Sequence, residues 1–348
     1  MKRISAVSAA LCLLLTAACG TGSGDGKTSD AKRIVFVNYG GEAVTAAEKG
    51  WLEPFKEATG IDYKVDSPFE PAKVQAMVDS GRTTWDIVTV EPATGALGCG
   101  KIYEKRDPDI DMSGMDPRFV NDECGVPVYP QAVVLVYNKK LFSGDNVPTS
   151  ITDFMDTKKF PGKRIAYNYI TTLPPLLMAD GVDNDSLYPL DFDRAAKAID
   201  KLGNNLSLHA DLATEVERLA AGDFAMCLCF SGRVEGAART NPDLGIVWNG
   251  IWQSYTMVYA VKKSESPESQ QAFLKWIADP AKQAPYYQYM AYPSAAKDAG
   301  AEVPDKFKPF VASAHQDEIG DSSGYYDLDY MLEHQAEVVE RWTEMTAG

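Results

Sequence analysis

Aromatic, carboxylate and guanidinium side chains collect where apolar runs of this sequence stop. Tyr39, Gly40 and Gly41 follow "RIVFVN", Glu91 follows "WDIVTV", Tyr167, Asn168, Tyr169 and Thr171 follow "RIA", and Phe230, Ser231 and Arg233 follow "FAMCLC". A carboxylate such as Glu91 can take an ammonium through a charge-assisted hydrogen bond. Aromatic walls suit a cationic or methylene-rich group, and the planar fork of Arg233 can hold a carboxylate. Trp252 and Tyr255 in "WNGIWQSYTMVYAV", and Tyr326, Asp327 and Asp329 in "GYYDLDY", extend the set. Each has a plain structural alternative. The glycines can be a tight turn, Glu91 a solvated loop acid, Arg233 a salt bridge, the rings core, and the late acids an exposed turn.

Other chemistry fits the sequence poorly. Gly40 and Gly41 lack the third glycine of a dinucleotide cradle. His209, His315 and His334 have no GxSxG nucleophile to partner, so acyl-transfer catalysis has no foothold. Those scattered histidines also build no zinc site with Cys227 and Cys229. The tyrosine pairs Tyr286-Tyr287 and Tyr325-Tyr326 suggest a ferric-binding alternative, although adjacent residues on a helix diverge, so one of each pair at most can face a metal. The chain is read as a non-enzyme with no catalytic residues, no cofactor and no resident metal; a secreted hydrolase is the more distant alternative.

These residues need elements to position them. "RIVFVNY", "IDYKV" and "WDIVTV" read as strands. Between them, Trp51, Leu52, Phe55 and Ala58 share one helical face and Val74, Met77 and Val78 another, with Gly60 and Gly81 as stops. This βαβαβ start marks an α/β domain whose ligands meet the C-terminal strand ends. The long apolar run "GVPVYPQAVVLVYNKKLF" leads to a second alternating block, and "SYTMVYAVKK" leads back to helical "PESQQAFLKWIADPAKQAPYYQYM". The expected architecture is two α/β lobes joined by two crossing strands: residues 32–137, then 138–256, then a return over 257–348. In the closing helix Leu332, Val339 and Trp342 are the buried-side candidates.

Several colinear pieces, "NYGGEA", "EPFKEATGI", "WDIVTVE", "CGVPVYP", "DFMDTKKFPGKRIA", "LYPLDFDRAAKAIDKL", "LAAGDFAM", "SGRVEGA" and "AYPSA", together resemble the extracytoplasmic solute-binding proteins of bacterial ABC importers, of the spermidine/putrescine-binding type. The resemblance implies a type II periplasmic-binding-protein fold, a cleft that closes on a small-molecule ligand, and delivery to an ABC permease in the membrane. It implies an amine-bearing solute, a polyamine or a γ-aminobutyrate-like molecule, with the aromatic at Tyr39 covering its alkyl part. Polyamine binders carry an aspartate about where Met257 falls, and no acid lies between Asp243 and Glu265.

The ends and the charge fit an exported receptor. "MKR" and "ISAVSAALCLLLTAA" form a secretion signal over residues 1–19, and "LTAAC" resembles a lipobox with Cys19 as the lipidated residue. Residues 20–31, "GTGSGDGKTSDA", read as a flexible tether. Loss of Lys2 and Arg3 with the signal takes the net charge from -15 to -17. Nucleic acid is thereby excluded as a partner, and the membrane is met only through the lipid anchor. An extracytoplasmic or periplasmic monomer is expected. Export permits disulfides. A Cys99–Cys124 bridge is expected between two glycine-containing loops, and Cys227 and Cys229 are expected as buried free thiols.

Overall fold

The computed structural model describes residues 32–297 and 303–347. The signal segment, Cys19 and the tether lie outside the described residues. Nine strands form one mixed sheet: β1 (Arg33–Val37), β2 (Asp62–Asp66), β3 (Ile87–Val90), β4 (Val126–Asn138), β5 (Arg164–Tyr167), β6 (Leu206–His209), β7 (Met226–Phe230), β8 (Leu244–Ala260) and β9 (Ser323–Tyr325). Their order is β2-β1-β3-β8-β4-β7-β5-β6, with β9 alongside β8. The two "crossing" runs are β4 and β8, which lie antiparallel at the middle of the sheet. "GIVWNG" and "SYTMVYAV" lie on one 17-residue strand.

The sheet has two halves. In one, β1 pairs in parallel with β2 and β3, and β3 joins Met257–Ala260 of β8. In the other, β5 pairs in parallel with β6 and β7, and β7 joins Val133–Tyr137 of β4. Between these blocks Tyr129, Pro130 and Gln131 pair with Thr256, Tyr255 and Ser254, and with no other strand among the described residues. The sheet thus narrows to a two-stranded waist. Pro130, which has no backbone N–H to give a further neighbour, suits that place.

Helices cover both faces, as period-2 alternation along β1 requires. Ile34 and Phe36 join Trp51, Leu52, Phe55 and Phe273 in one apolar cluster, while Val37 joins Val74, Val78 and Tyr259 in another. The helices that matter for the site are α1 (Glu42–Ala47), α2 (Glu53–Thr59), α3 (Pro71–Ser80), α4 (Pro92–Gly98), α5 (Leu173–Ala179), α6 (Phe192–Leu202), α7 (Leu212–Ala221) and α8 (Ser231–Ala238). Gly60 and Gly81 end α2 and α3 in left-handed backbone, as their positions predict. In the last helix, Leu328–Thr346, the buried stripe is Met331, Val338 and Trp342. Trp342 is buried as expected, but Leu332 is half-buried and Val339 is 44 % exposed, their places being taken by Met331 and Val338 one residue earlier. No helix among the described residues is long and apolar enough to cross a membrane.

A disulfide joins Cys99 to Cys124, with Cα atoms 5.6 Å apart. The free-thiol expectation for Cys227 and Cys229 is corrected: the structure pairs them. A fully extended strand would put about 6.7 Å between alternate Cα atoms, but here they are 5.5 Å apart, inside the disulfide range.

Candidate functional site

The turn after β1 is built by its own side chains. Asn38 Oδ1 accepts from the Gly40 N–H at 2.9 Å, and Gly40 and Gly41 both take positive φ, 83° and 63°, which suits glycine. This aims Tyr39 inward, edge-on to Phe69 with centroids 6.0 Å apart. At the end of β3, Glu91 caps α4 and is 5 % exposed. Its carboxylate accepts from Thr94 N at 3.2 Å, Thr94 Oγ1 at 2.6 Å, Tyr326 OH at 3.0 Å and Gln335 Nε2 at 3.0 Å. Burial pushes its pKa up, and the bonds from Thr94, Tyr326 and Gln335 pull it part of the way back.

The second half supplies the opposite wall. Tyr167 and Tyr169 stack at 5.5 Å at the end of β5; burial pushes the Tyr167 phenol up to about 12. Phe230 ends β7 and Arg233 lies in the first turn of α8, 3 % exposed, with Nη1 donating to Gly40 O at 3.0 Å. At the waist Tyr129 stacks on Tyr292 at 4.8 Å and on Tyr286 at 5.4 Å, and Tyr286 stacks on Trp51 at 4.3 Å.

These groups enclose a cavity of about 30 Å³ lined by Tyr39, Glu91, Tyr129, Gln131, Tyr167, Tyr169, Thr171, Leu212, Phe230, Arg233 and Tyr292. Glu91 is the sole acid and Arg233 the sole base of that lining. Six aromatic rings of the set lie between the two halves of the sheet. Burial first, then Tyr169 and Glu91, pushes the Tyr39 phenol well up, so these hydroxyls stay neutral hydrogen-bonding groups.

Seven of the residues singled out in the sequence meet there: Tyr39, Glu91, Tyr167, Tyr169, Thr171, Phe230 and Arg233. Gly40 stands behind, its carbonyl holding Arg233, and Gly41 packs beside the same guanidinium. The others lie elsewhere. Asn168 is exposed and accepts from Trp342 Nε1 at 3.0 Å, because the chain alternates sides as it leaves β5. Ser231 borders a separate pocket with Ala132 and Gln253. Trp252 is buried 6.0 Å from the Tyr326 ring. Tyr255 accepts from Asn121 Nδ2 at 2.7 Å and packs on Phe119. Tyr326 backs Glu91 rather than lining the cavity, and Asp327 caps the last helix beside a solvent-open acidic groove. Met257 lies in the core against the Tyr259 hydroxyl, so its lack of charge bears on packing.

Tyr129, Gln131, Leu212 and Tyr292 were missed. Tyr129 and Gln131 had a signal in "VYPQAV", where they flank Pro130 on the same face of a crossing strand; Leu212, the first residue of a helix, had none. The tyrosine pairs do not converge on a metal: Tyr286 enters the stack with Trp51 while Tyr287 packs on Phe307, and Tyr325 is 59 % exposed while Tyr326 bonds Glu91. Among the described residues, the acid and sulfur clusters Cys99-Asp122-Cys124 and Glu215-Cys227-Cys229 both contain bridged cysteines.

Known proteins share this fold. The chain is 28 % identical over 331 residues to a γ-aminobutyric acid-binding protein of Pseudomonas aeruginosa, covering 92 % of each. A solved γ-aminobutyrate receptor superposes with a TM-score of 0.73 at 28 % identity, over 90 % of this chain and 97 % of that one. A periplasmic binding protein of A. tumefaciens R10, solved with agropinic acid, superposes with a TM-score of 0.81 at 22 % identity over 91 % and 99 %; that likeness concerns the fold. Residues 50–313 match the bacterial extracellular solute-binding protein family. The chain belongs to that family, the solute-binding proteins of bacterial ABC import systems.

Proposed function

We propose that this receptor captures a small ω-amino acid of the γ-aminobutyrate type, its ammonium beside Glu91 among the tyrosines and its carboxylate on Arg233. The observation that carries the reading is the lining itself: one buried acid, one buried base and six aromatic rings around one cavity. A diamine would find a partner for one ammonium and leave Arg233 facing the other, which is repulsive. Likeness to two γ-aminobutyrate-binding proteins at 28 % identity supports the same class.

In this reading the halves are lobes that part at the waist of β4 and β8, so the first boundary falls at residues 129–131 rather than at the expected 137, while the return falls at 254–256, next to the expected 256. The cavity, at about 30 Å³, is far below the few hundred Å³ of an ordinary ligand site, so a solute enters when the lobes separate. A lipid on Cys19 and the tether of residues 20–31 would keep the monomeric body beside its permease.

Calorimetry against γ-aminobutyrate, putrescine and spermidine tests the proposal. Binding of γ-aminobutyrate is expected, with putrescine and spermidine weaker, and Arg233→Lys should weaken it at least tenfold because the planar fork is lost. Tighter binding of putrescine, or an Arg233→Lys variant with unchanged affinity, would sink it.

A further inference from the structure

Helix α8 carries more than Arg233. Gly232, Gly236 and Arg239 follow at intervals of four and three residues, on the face that meets the other half. A methyl group at Gly232 would overlap the Tyr292 ring, and one at Gly236 would overlap the Glu42 carboxylate. Neither glycine has a positive φ, so what each supplies is room. Glu42 is the first residue of α1, directly after the glycine turn. Arg239 reaches it from the end of α8, Nη1 to Oε1 at 3.7 Å. Arg239 is itself aimed by Glu235, which takes Nε at 2.9 Å and Nη2 at 2.6 Å, and by Tyr289 O at 3.3 Å.

The Glu42 contact sits next to the one that holds the cavity's base. Arg233 Nη1 donates to Gly40 O, and a Cβ at Gly41 would stand 3.4 Å from that nitrogen and 3.6 Å from Ala213 Cβ of α7. One three-residue turn, Gly40-Gly41-Glu42, therefore touches α7 and α8 at three points.

We propose that Glu42, seated on Gly236 and held by Arg239, is a latch that keeps the two halves together and so positions Arg233 at the cavity. The inference rests on the halves moving as lobes, as proposed above, and not on which solute they hold. Glu42, Gly236 and Arg239 act through Arg233 and touch no solute; they are positioning residues. The latch requires glycine at 236 because any side chain there lifts the carboxylate off α8, whereas alanine is the better helix former and leaves α8 itself sound.

Small-angle X-ray scattering of the solute-free chain decides it, with three proteins: wild type, Gly236→Ala, and Gly236→Ala with Glu42→Asp. The wild type should scatter as the closed structure, Gly236→Ala should expand, and the shorter aspartate should restore the closed curve by withdrawing the carboxylate from the new methyl. An already extended wild type, a Gly236→Ala curve identical to the wild type, or no restoration by Glu42→Asp overturns the latch. Circular dichroism of the three proteins separates separation of the halves from unfolding. Calorimetry with γ-aminobutyrate as probe should then show affinity at least tenfold weaker in Gly236→Ala and recovered in the double variant. If γ-aminobutyrate binds none of the three, the amino-acid reading falls while the scattering still decides the latch.

Discussion

Glu215 feels the Arg233 charge, and burial makes it sensitive to pH. It is fully buried on α7, and neither carboxylate oxygen has a hydrogen-bond partner. Burial pushes its pKa from 4.5 to about 8, and the Arg233 charge pulls it only part of the way back. The folded chain therefore keeps a proton that the unfolded chain gives up, and stability falls as pH rises from about 4.5 to about 8. The loss is on the order of 5 kcal/mol across that window. Glu215→Gln should flatten this slope and raise the melting temperature at pH 8 relative to wild type; thermal scans from pH 5 to pH 9 check it, and parallel curves would count against it. Tyr39→Ala, by contrast, should weaken solute binding with the melting temperature within a few degrees of wild type, since Tyr39 is half-buried at a turn. Residues at strand ends, such as Tyr39, Glu91 and Arg233, were legible in the sequence because a strand end in an α/β sheet is where ligands meet it. Tyr292 and Leu212 were not, because they come from a connection and a helix start whose sequences carry no period that points inward.

At the scale of elements, two bonds to the loop between β3 and β4 deserve separate tests. The Cys99–Cys124 bridge closes 25 residues of chain, and a loop of that length stabilises by roughly 3 kcal/mol through the unfolded state. Changing both cysteines to serine should lower the midpoint of urea unfolding by a corresponding amount without altering solute affinity. Thr94→Val removes the closest donor to Glu91, 2.6 Å away, while leaving the backbone cap at 3.2 Å. It should raise the pH at which binding fails in acid, since one hydrogen bond fewer favours the neutral carboxyl; calorimetry at pH 5 and pH 7 reads the difference. The helices and strands themselves were legible from periodicity, as Gly60 and Gly81 show. The phase of the last helix and the continuity of β8 were not. A one-residue shift of an amphipathic stripe, or a glycine with φ 86° at Gly250 inside a strand, is decided by tertiary packing rather than by local pattern.

At the scale of the molecule, halves joined by a two-stranded waist make solute binding and cohesion one equilibrium. A solute held between them at one hundred times its dissociation constant should stabilise the folded chain by about 2.7 kcal/mol, readable as a rise in melting temperature with γ-aminobutyrate that Arg233→Lys cuts to about half or less at the same concentration. The two-crossing plan was visible in the order of apolar runs. That the middle of β4 would line the cavity was not, since it needs the register of β4 against β8. The last helix adds a further consequence. Its Gln335 holds Glu91 of one half, while Trp342 donates to Asn168 and Arg341 to Asp193 of the other. Trp342 is thus an indole whose N–H partner lies across the gap. Parting of the halves would strip that partner and wet the ring, so the protein carries its own optical gauge of opening: a shift in tryptophan emission between the solute-free wild type and Gly236→Ala, absent when both also carry Trp342→Phe, would follow the motion without any added label.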